Sequence, residues 1–387
     1  MWYNGTKGVD NVFKPKYTVT QSILKKMLGI ERSSVIVDQL PLPADILDEL
    51  IKEAKETTVL LSTRMEGNDL DEDIKRKSLY QTSDNDKEQG VYNLMKATEF
   101  LDESEARELP ITEEWIKKLH AIIRISHGRR SRLSEYRTEQ NKVGDRNLSG
   151  FYLPPEYMDV PTLMEDLVAW INSPQTFEIP APIKAGVTMW QLLTIHPYKD
   201  GNGRTARMVA TYILRRGGYG LKGLFVLENF YDRNLNDYYK ALQMGLSHNY
   251  YFGRHEADIT TWLEYFLNGL SEVYIEAAQI VQEKNSELLK VEPELIRKLD
   301  VQQRKVFRQL LFKQELISIT ELCMILQFGE RTIREKVKRW IDEGFLVPKD
   351  PDAQRVRTVI LSPSYEELAD EVRESPYSYQ YLLGNME

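Results

Sequence analysis

The segment Thr194–Met208, with the sequence TIHPYKDGNGRTARM, is dense in residues that can handle phosphate groups. Gly201 and Gly203 permit left-handed or otherwise restricted backbone geometry just before the helix predicted for residues 205–216. The first amide groups of a helix have no intrahelical partners, and the helix dipole adds partial positive charge at the same point. The turn therefore predicts an anion site, and the expected anion is a phosphate chain.

Three side chains beside this turn add hydrogen-bond donors to the predicted anion site. Asn202, Arg204 and Arg207 lie in or next to the first helical turn, and the two arginines are three positions apart. They therefore project from neighbouring faces, from which two phosphates of one nucleotide can be contacted together. The carboxylate of Asp200 would repel a phosphate unless Mg²⁺ lies between the two groups, so we expect a Mg²⁺ site at Asp200.

His196 stands before Pro197 at the end of the helix predicted for residues 181–195. A neutral imidazole there can remove a proton from an attacking hydroxyl group, which makes His196 the candidate general base. The segment as a whole predicts transfer at phosphorus, supported mainly by positioning and charge stabilisation. The simpler alternative is a Gly-Asn-Gly turn that only caps a helix. The segment matches neither the P-loop pattern, which needs Gly-Lys-Ser/Thr, nor the dinucleotide fingerprint, which needs a preceding strand.

The rest of the chain predicts a mainly α-helical protein, because apolar residues recur at helical spacing in many segments. These segments are 46–54, 91–100, 110–124, 160–171, 181–195, 205–216, 236–246 and 256–289, the last as one helix or two. Residues 1 to about 45 predict an irregular arm around one amphipathic stretch, Gln21–Leu28. Ser134–Pro155 is rich in turn-forming residues and predicts a short β-hairpin or extended flap.

The pattern after Pro293 changes to helix, helix, a turn at Gly329, helix and two short strands, which predicts a winged helix-turn-helix. Residues from 364 onward carry no motif and predict a partly disordered tail. The predicted domains are an N-terminal helical region, a helical core, a helical linker, the winged helix-turn-helix and the tail. They cover residues 1–110, 111–270, 271–293, 294–362 and 363–387.

Composition indicates an ordinary globular protein. The 387 residues carry a net charge of −8, which argues against a globally basic nucleic-acid binder. We find no signal-peptide pattern and no membrane-spanning apolar run in the sequence, so we expect a cytoplasmic location and no membrane partner. Cys323 is the one cysteine of the sequence and cannot form an intramolecular disulfide. Four histidines have no metal-ligand spacing in the sequence, namely His120, His127, His248 and His255.

The string HPYKDGNGRTAR resembles the signature of the Fic family, His-Pro-aromatic-x-acid-Gly-Asn-Gly-Arg-x-x-Arg, at every defining position. The resemblance implies an α-helical Fic core that transfers AMP from ATP to a Ser, Thr or Tyr hydroxyl of a protein and releases pyrophosphate. It also implies a role for each residue of the string. His196 is the base, Asp200 binds Mg²⁺, Gly201–Gly203 form the anion hole, and Arg204 and Arg207 hold the triphosphate, with Arg207 toward its γ end.

Two other segments extend this resemblance around the motif. Ser134–Pro155 is similar to the family's flap, a hairpin that pairs with the target segment, and an ordinary exposed hairpin is the alternative. Residues 232–242, DRNLNDYYKAL, resemble the segment that lines the base and ribose of the nucleotide. This second likeness implies Asn236 and Tyr239 as ATP contacts. For Tyr239, packing in the core is the alternative.

Residues 62–68, STRMEGN, resemble the inhibitory motif Ser/Thr-x-x-x-Glu-Gly/Asn that some Fic proteins carry N-terminal to the core. The matching residues are Ser62, Glu66 and Gly67. The resemblance implies that Glu66 pairs with Arg207 and occupies the guanidinium that would otherwise hold the γ-phosphate. A surface carboxylate of little energetic consequence is the alternative.

Alternative functions stay open at this stage. The winged helix predicts a DNA-binding transcriptional regulator, a protein-docking surface or a dimer-supporting surface, since residues 330–357 contain eight basic residues against six acidic ones. Fic relatives also phosphorylate, transfer phosphocholine or remove AMP from modified proteins, although the retained Gly-Asn-Gly-Arg pattern favours AMP transfer. ATP is the expected small-molecule partner. The target protein, self-modification and a homodimer remain open.

Overall fold

The computed structural model describes residues 13–40, 42–128, 132–144, 151–291, 293–312 and 316–374. It is mainly α-helical, as the sequence predicts. The described residues of Met1–Gln39 and Glu49–Ile280 form one compact unit, the N-terminal unit. Those of Leu40–Asp48 and Val281–Glu387 form a second, the C-terminal unit. Within the described ranges, we find no helix that is both long enough and apolar enough to cross a membrane.

The helices up to residue 291 coincide with most of the predicted helical segments. They are α1 (Gln21–Gln39), α2 (Ala44–Met65), α3 (Glu72–Ser78), α4 (Asp86–Ala106), α5 (Glu113–Arg124), α6 (Val160–Ile171), α7 (Ala181–Ile195), α8 (Asn202–Arg216), α9 (Leu227–Arg233), α10 (Leu235–Gln243) and α11 (Thr260–Val291). Short 3₁₀ or π turns occur at Pro174–Phe177, Leu221–Gly223 and Tyr250–Arg254.

Helices α7 and α8 form the centre of the N-terminal unit. α7 is apolar on most sides and mostly buried, as expected for a helix surrounded by neighbours. Pro182 lies in its first turn, where the missing N–H has no intrahelical partner to lose. α8 packs against α7 and α5, and Tyr212 of α8 stacks on Trp115 of α5 with 4.6 Å between ring centroids. The loop that joins α7 to α8, residues 196–201, contains most of the sequence motif.

Helix α1 is longer than the sequence analysis predicts. Only Gln21–Leu28 was expected to be helical within an irregular arm, but α1 continues to Gln39. The helix buries one apolar residue every seven positions, namely Ile23, Ile30 and Val37. Contacts beyond Leu28 accompany this length, because a Cβ atom at Gly29 would lie only 2.8 Å from the Oγ of Ser271, and Lys222 Nζ donates to the Val37 carbonyl at 2.9 Å.

Helix α11 is one continuous helix where the sequence allows one or two. Its residues Val273, Tyr274 and Ala277 are buried, although they fall within the predicted linker 271–293. The first part of that segment is therefore packed in the N-terminal unit, while charged residues follow further along the helix.

The C-terminal unit has the order of elements expected of a winged helix-turn-helix. These elements are α12 (Glu294–Arg297), α13 (Val301–Phe312), β1 (Ile317–Ser318), α14 (Ile319–Leu326), α15 (Glu330–Asp342), β2 (Leu346–Pro348), β3 (Thr358–Leu361) and α16 (Pro363–Glu374). The strands form an antiparallel sheet in the order β1-β3-β2, with Ile317 opposite Val359 and Leu346 opposite Leu361. The core under this sheet contains large side chains from helices and strands, among them Phe307, Trp340 and Phe345.

Helix α16 lies where the sequence analysis expected a partly disordered tail. Four of its residues are buried in the C-terminal core, namely Tyr365, Leu368, Ala369 and Val372. They stand at positions i, i+3, i+4 and i+7, which is one face of a helix. The acidic residues between them conceal this face in the composition of the segment. Residues 375–387 lie outside the described ranges.

We expect Gly186→Ala and Gly90→Ala to shift stability in opposite directions. In α7, a Cβ at Gly186 would lie 2.8 Å from Leu263 Cδ2 and 2.9 Å from Phe266 Cδ1, and overpacking of this kind costs about 1–3 kcal/mol. In α4, a Cβ at Gly90 has no atom within 4 Å, so alanine there gains up to about 1 kcal/mol of helix propensity. Chemical denaturation measures both, and equal gains in the free energy of unfolding would contradict the packing of α7 on α11.

Candidate active site

The loop between α7 and α8 begins with an unusual backbone conformation at His196. This residue ends α7 with φ 51° and ψ 60°, a left-handed conformation that costs energy in a residue other than glycine. Arg137 holds the residue in place, because its Nε donates to the His196 carbonyl at 3.0 Å and its backbone N–H donates to the Pro197 carbonyl at 2.9 Å. The position of the candidate base is thus set by a side chain from a different part of the chain.

The Gly-Asn-Gly turn closes the loop through the side chain of Asn202. Its Oδ1 accepts from the Tyr198 N–H at 2.9 Å, and its Nδ2 donates to the Tyr198 carbonyl at 2.8 Å. From the sequence we expect this side chain to donate to an anion. In the structure its amide group bonds Tyr198 and closes the loop. Gly201 has φ +81°, and a Cβ there would lie 3.0 Å from Arg124 Cδ and 3.2 Å from His120 Nε2. Both backbone strain and space therefore require glycine at position 201.

The first turn of α8 offers backbone donors. Gly201 is the N-cap residue and has no side chain to cap the helix, so the amides of Asn202, Gly203 and Arg204 have no intrahelical acceptor. Arg204 is buried, and its Nε has no hydrogen-bond partner among the described residues. Donors with no partner at a helix N-terminus make a site for an anion.

The carboxylate of Glu66 lies at this helix start. Glu66 directly follows α2, where Gly67 has φ +80° and the N–H of Asn68 donates to the Thr63 carbonyl at 3.1 Å. This turn at the helix end directs Glu66 so that its Oε1 lies 3.1 Å from Arg207 Nη2. The carboxylate also lies so close to Gly203 that a Cβ atom there would overlap it. The Glu66 carboxylate therefore lies against the first turn of α8.

Arg207 is buried within a set of polar partners from several helices. Its Nε and Nη2 donate to Ser62 Oγ at 3.0 and 2.9 Å. Its Nε also lies 3.6 Å from Oε1 of Glu228, and Tyr238 shares a hydrogen bond with it. Burial lowers the pKa of Arg207, but Glu66, Tyr238 and Glu228 more than offset this effect, so the pKa is raised and the guanidinium stays charged.

Asp200, the predicted Mg²⁺ ligand, is about half exposed, accepts two hydrogen bonds and lies within ion-pair distance of two arginines. Its Oδ1 accepts from the Gly201 N–H at 2.6 Å and lies 3.8 Å from Arg204 Nη2. Its Oδ2 lies 2.8 Å from Arg124 Nη1. Its backbone carbonyl accepts from His120 Nε2 at 2.8 Å.

Two neutral histidines lie at the loop. Burial lowers the pKa of His196 to about 4, against a smaller opposing effect of its hydrogen bond to the Leu193 backbone. At pH 7 its imidazole is therefore uncharged, as a general base must be. Burial also lowers the pKa of His120 to about 4. His120 accepts from Ser134 Oγ at Nδ1 and donates from Nε2 to Asp200, so it positions the loop.

A cavity of about 390 Å³ borders this loop. Its lining includes Glu66, Asp200 and Arg204 from the site described above, together with Arg124 at the end of α5. The start of α4 contributes Asp86, Lys87, Gln89 and Gly90. The cavity is therefore an open space beside the loop that is large enough for phosphate groups.

Comparisons with known proteins agree with this geometry. A model of the Fic/DOC family matches residues 110–214. Similar curated proteins include Protein adenylyltransferase Fic of Drosophila mojavensis, 30% identical over 134 residues, and that of Aedes aegypti, 38% identical over 86 residues. These matches cover 35% and 22% of this chain. The chain spans only 25% and 16% of the length of these relatives.

Solved structures extend the likeness of fold. A Fic family protein from Desulfovibrio desulfuricans G20 aligns with a TM-score of 0.57 and 20% identity over 91% of this chain and 99% of its own. A Fic domain containing signaling protein from Bacteroides thetaiotaomicron VPI-5482 aligns with a TM-score of 0.55 and 22% identity over 67% of this chain and 97% of its own. Residues 110–214 of the chain therefore match the Fic/DOC family, and its fold resembles that of solved Fic proteins.

The segment that the resemblance implies as a flap contains one pair of hydrogen-bonded residues. Val143 and Tyr152 exchange two backbone hydrogen bonds at 2.9 and 2.8 Å, as opposed residues of a hairpin do, and residues 145–150 lie outside the described ranges. The returning strand is also supported on its other side, because the Leu153 N–H donates to the His248 carbonyl at 2.7 Å. Arg137 donates to the Pro155 carbonyl, so one side chain joins the flap to the loop at His196.

The two residues proposed to line the nucleotide base differ in position. Tyr239 is half-buried, and burial and the charge of Glu66 raise its pKa, which places it near the Fic motif. Asn236 lies on the exposed side of α10. The neighbouring Tyr238, which the sequence analysis did not select, is buried and bonds Arg207.

Three other residues at the site, Glu228, Arg137 and Arg124, were not predicted from the sequence. Glu228 was the most visible of these, since it is one acid inside the apolar run LFVLENF, and a buried acid needs a partner. Burial raises the pKa of the Glu228 carboxyl, and the charge of Arg207 acts in the opposite direction. Arg137 and Arg124 carry no such local signal.

The residues around Asp200 fit Mg²⁺ held together with a nucleotide. Among the described residues, no group of three or more His, Cys, Asp or Glu side chains could hold a metal ion. Mg²⁺ in nucleotide sites takes one or two carboxylates and completes its shell with phosphate oxygens and water. A half-exposed carboxylate beside an anion site provides that arrangement.

We expect the ring of His196 to stay neutral far below the usual histidine range. Its lowered pKa means that the native state binds a proton only near pH 4, whereas the unfolded state binds one near pH 6.5. The contribution of His196 to the free energy of unfolding is therefore fully present above pH 6.5 and is lost as the pH decreases toward 4. Histidine-ring NMR over pH 4 to 8, with His196→Ala for assignment, measures the midpoint. A midpoint near 6.5 would contradict the burial of the candidate base.

Proposed function

We propose that this Fic protein transfers AMP from ATP to a hydroxyl group of a protein and that Glu66 restrains the transfer. The observation that supports this most directly is the Glu66 carboxylate, 3.1 Å from Arg207 Nη2 and against Gly203. A carboxylate offers the charge and the acceptor oxygens of a phosphate. The first turn of α8 thus has the properties of an anion site, and the chain fills it with an anion of its own.

The triphosphate of ATP would take this place. The amides of residues 202–204 supply backbone donors, and Arg204 and Arg207 supply charge. The buried Nε of Arg204, which has no partner among the described residues, gains an acceptor when a phosphate binds. When bound at Asp200, Mg²⁺ would neutralise charge that develops on the phosphate oxygens.

His196 and the loop supply the remaining chemistry. The oxygen of the acceptor hydroxyl attacks the α-phosphorus, and a new O–P bond forms. The bond from this phosphorus to the oxygen that bridges to the β-phosphate breaks, and pyrophosphate leaves with the electron pair. His196 takes the hydroxyl proton at the ring nitrogen that is not bonded to the Leu193 backbone. Arg137 keeps the imidazole in position through the His196 carbonyl.

The restraint follows from competition between two anions. While Glu66 holds Arg207, the γ-phosphate has to displace a carboxylate that is already tethered at the site. Glu66 can leave without disturbing the core, because its side chain is 28% exposed and it follows the last residue of α2. The bond from Ser62 to Arg207 keeps the guanidinium in position when it does.

The ion pairs on α15 weigh against DNA binding as a second function. Three arginines of this helix each pair with an acid on the helix or at its C-cap, at 2.7–3.6 Å. The pairs are Arg331–Glu335, Arg334–Glu330 and Arg339–Glu343. DNA phosphates would have to replace these carboxylates, which reduces the gain from each contact. AMP transfer therefore stays the better supported proposal.

We expect Glu66→Gly to raise AMP transfer at least tenfold, because the anion site is then free for the γ-phosphate. The protein is incubated with Mg²⁺ and ATP labelled at the α- or the γ-phosphate, alone and with added lysate proteins. Label should appear in protein from the α-position only. His196→Ala in the same background should abolish the label, since the base is lost.

A matched control removes a carboxylate that lies away from the anion site. Asp69→Gly, three residues further along, deletes a side chain that pairs with Lys87 and should leave the rate unchanged. If Glu66→Gly and the unsubstituted chain transfer AMP at equal rates, Glu66 does not restrain the reaction. If label appears in protein only from the γ-position, the reaction is phosphorylation and the proposal of AMP transfer is wrong.

A further inference from the structure

Arg124 makes a contact with the candidate metal ligand that neither the motif nor the proposed function uses. It is the last residue of α5, and its Nη1 lies 2.8 Å from Asp200 Oδ2. The other carboxylate oxygen of Asp200 accepts from the Gly201 N–H and lies 3.8 Å from Arg204 Nη2. Both oxygens that could bind a cation are therefore engaged by donors of the protein.

The packing of α5 directs Arg124 to this position. The apolar face of α5 is buried through Trp115, Ile116, Leu119 and Ile123, and the next residue emerges at the helix end beside the loop. The aliphatic part of Arg124 passes along Gly201, where a Cβ would lie 3.0 Å from its Cδ and 3.3 Å from its Cγ. A positive side chain at a helix C-terminus is also favoured by the helix dipole.

We propose that Arg124 occupies the place of Mg²⁺ on Asp200 and competes with it, as a second contact by which the chain restrains its own site. This rests on the proposed function, in which Asp200 is the Mg²⁺ ligand. A ligand oxygen binds Mg²⁺ at about 2.0–2.1 Å, and a guanidinium bonded to the same oxygen would place two cations side by side. Metal binding therefore requires Arg124 to leave Oδ2.

The structure gives Arg124 room to leave. Its side chain is 45% exposed and lines the cavity of about 390 Å³ that also borders Asp200 and Arg204. Moving the guanidinium into this space does not unpack the core. Because exposed ion pairs are weak, the competition is modest, and its removal should strengthen metal binding about two- to fivefold.

The two side chains that make the proposed restraining contacts carry opposite charges. Glu66 is an anion on Arg207, where a phosphate would bind, and Arg124 is a cation on Asp200, where a metal ion would bind. Arg207 and Asp200 thus each have a partner of opposite charge from the chain itself. Release of one contact leaves the other in place, so Glu66 and Arg124 restrain different steps of substrate binding.

Metal binding measured without turnover tests the proposal. In the Glu66→Gly background, Mn²⁺ is titrated into protein with α,β-methylene-ATP, and free Mn²⁺ is followed by electron paramagnetic resonance. Mn²⁺ uses the same oxygen ligands as Mg²⁺. We expect Arg124→Ala to lower the Kd for Mn²⁺ two- to fivefold and Arg124→Lys to lower it less. Arg233→Ala, which removes a similarly exposed arginine from pairs with Glu272 and Glu276, should not change it.

The outcomes separate this inference from the proposed function. An unchanged or higher Kd in Arg124→Ala, while Asp200→Asn loses binding, overturns the role of Arg124 alone. If Asp200→Asn binds Mn²⁺ normally, Asp200 is not the ligand and both fail. Tighter Mn²⁺ binding in Arg124→Ala, together with no AMP transfer in the labelling experiment, supports the competition and removes the proposed reaction.

Discussion

The buried charge of Arg207 is the constraint on which the arrangement of the N-terminal unit depends. A guanidinium taken out of water costs several kcal/mol unless it is paired and hydrogen-bonded. The structure supplies Ser62 and Glu66 from the end of α2, Glu228 from α9 and Tyr238 from α10. These segments have to converge on the first two turns of α8. The pairing of Arg207 therefore also brings together the helices that surround the candidate site.

The loop at the start of α8 is rigid for a related reason. Its polar groups are held by hydrogen bonds: the Asn202 side chain bonds Tyr198 within the loop, Arg137 donates to the His196 carbonyl, and His120 donates to the Asp200 carbonyl. A site prepared in this way loses little freedom when a phosphate chain binds, which is a main source of rate enhancement in phosphoryl chemistry. Burial also lowers the pKa of His196, which keeps its imidazole neutral at pH 7.

The sequence predicted what depends on neighbours along the chain. Two glycines, a helix start and two arginines three positions apart lie within one short segment, and apolar periodicity located most helices. It did not predict Arg137, Arg124 or Glu228, because each meets its partner 59, 76 or 21 positions away and no local pattern marks the pairing. The bonds of the Asn202 side chain to Tyr198 were not predicted either, because the residue type alone does not show that this amide closes the loop.

The proposed restraint relies on a difference between the two carboxylates that lie at Arg207. Glu228 is 4% exposed inside α9, so it stays with Arg207 whatever the site binds. Glu66 is 28% exposed and follows the end of α2, so it can be exchanged for another anion. Because a phosphate oxygen would replace one carboxylate while the other remains, the charge around Arg207 changes little in the exchange. The buried arginine is then never left without a partner, which keeps the cost of opening the site low.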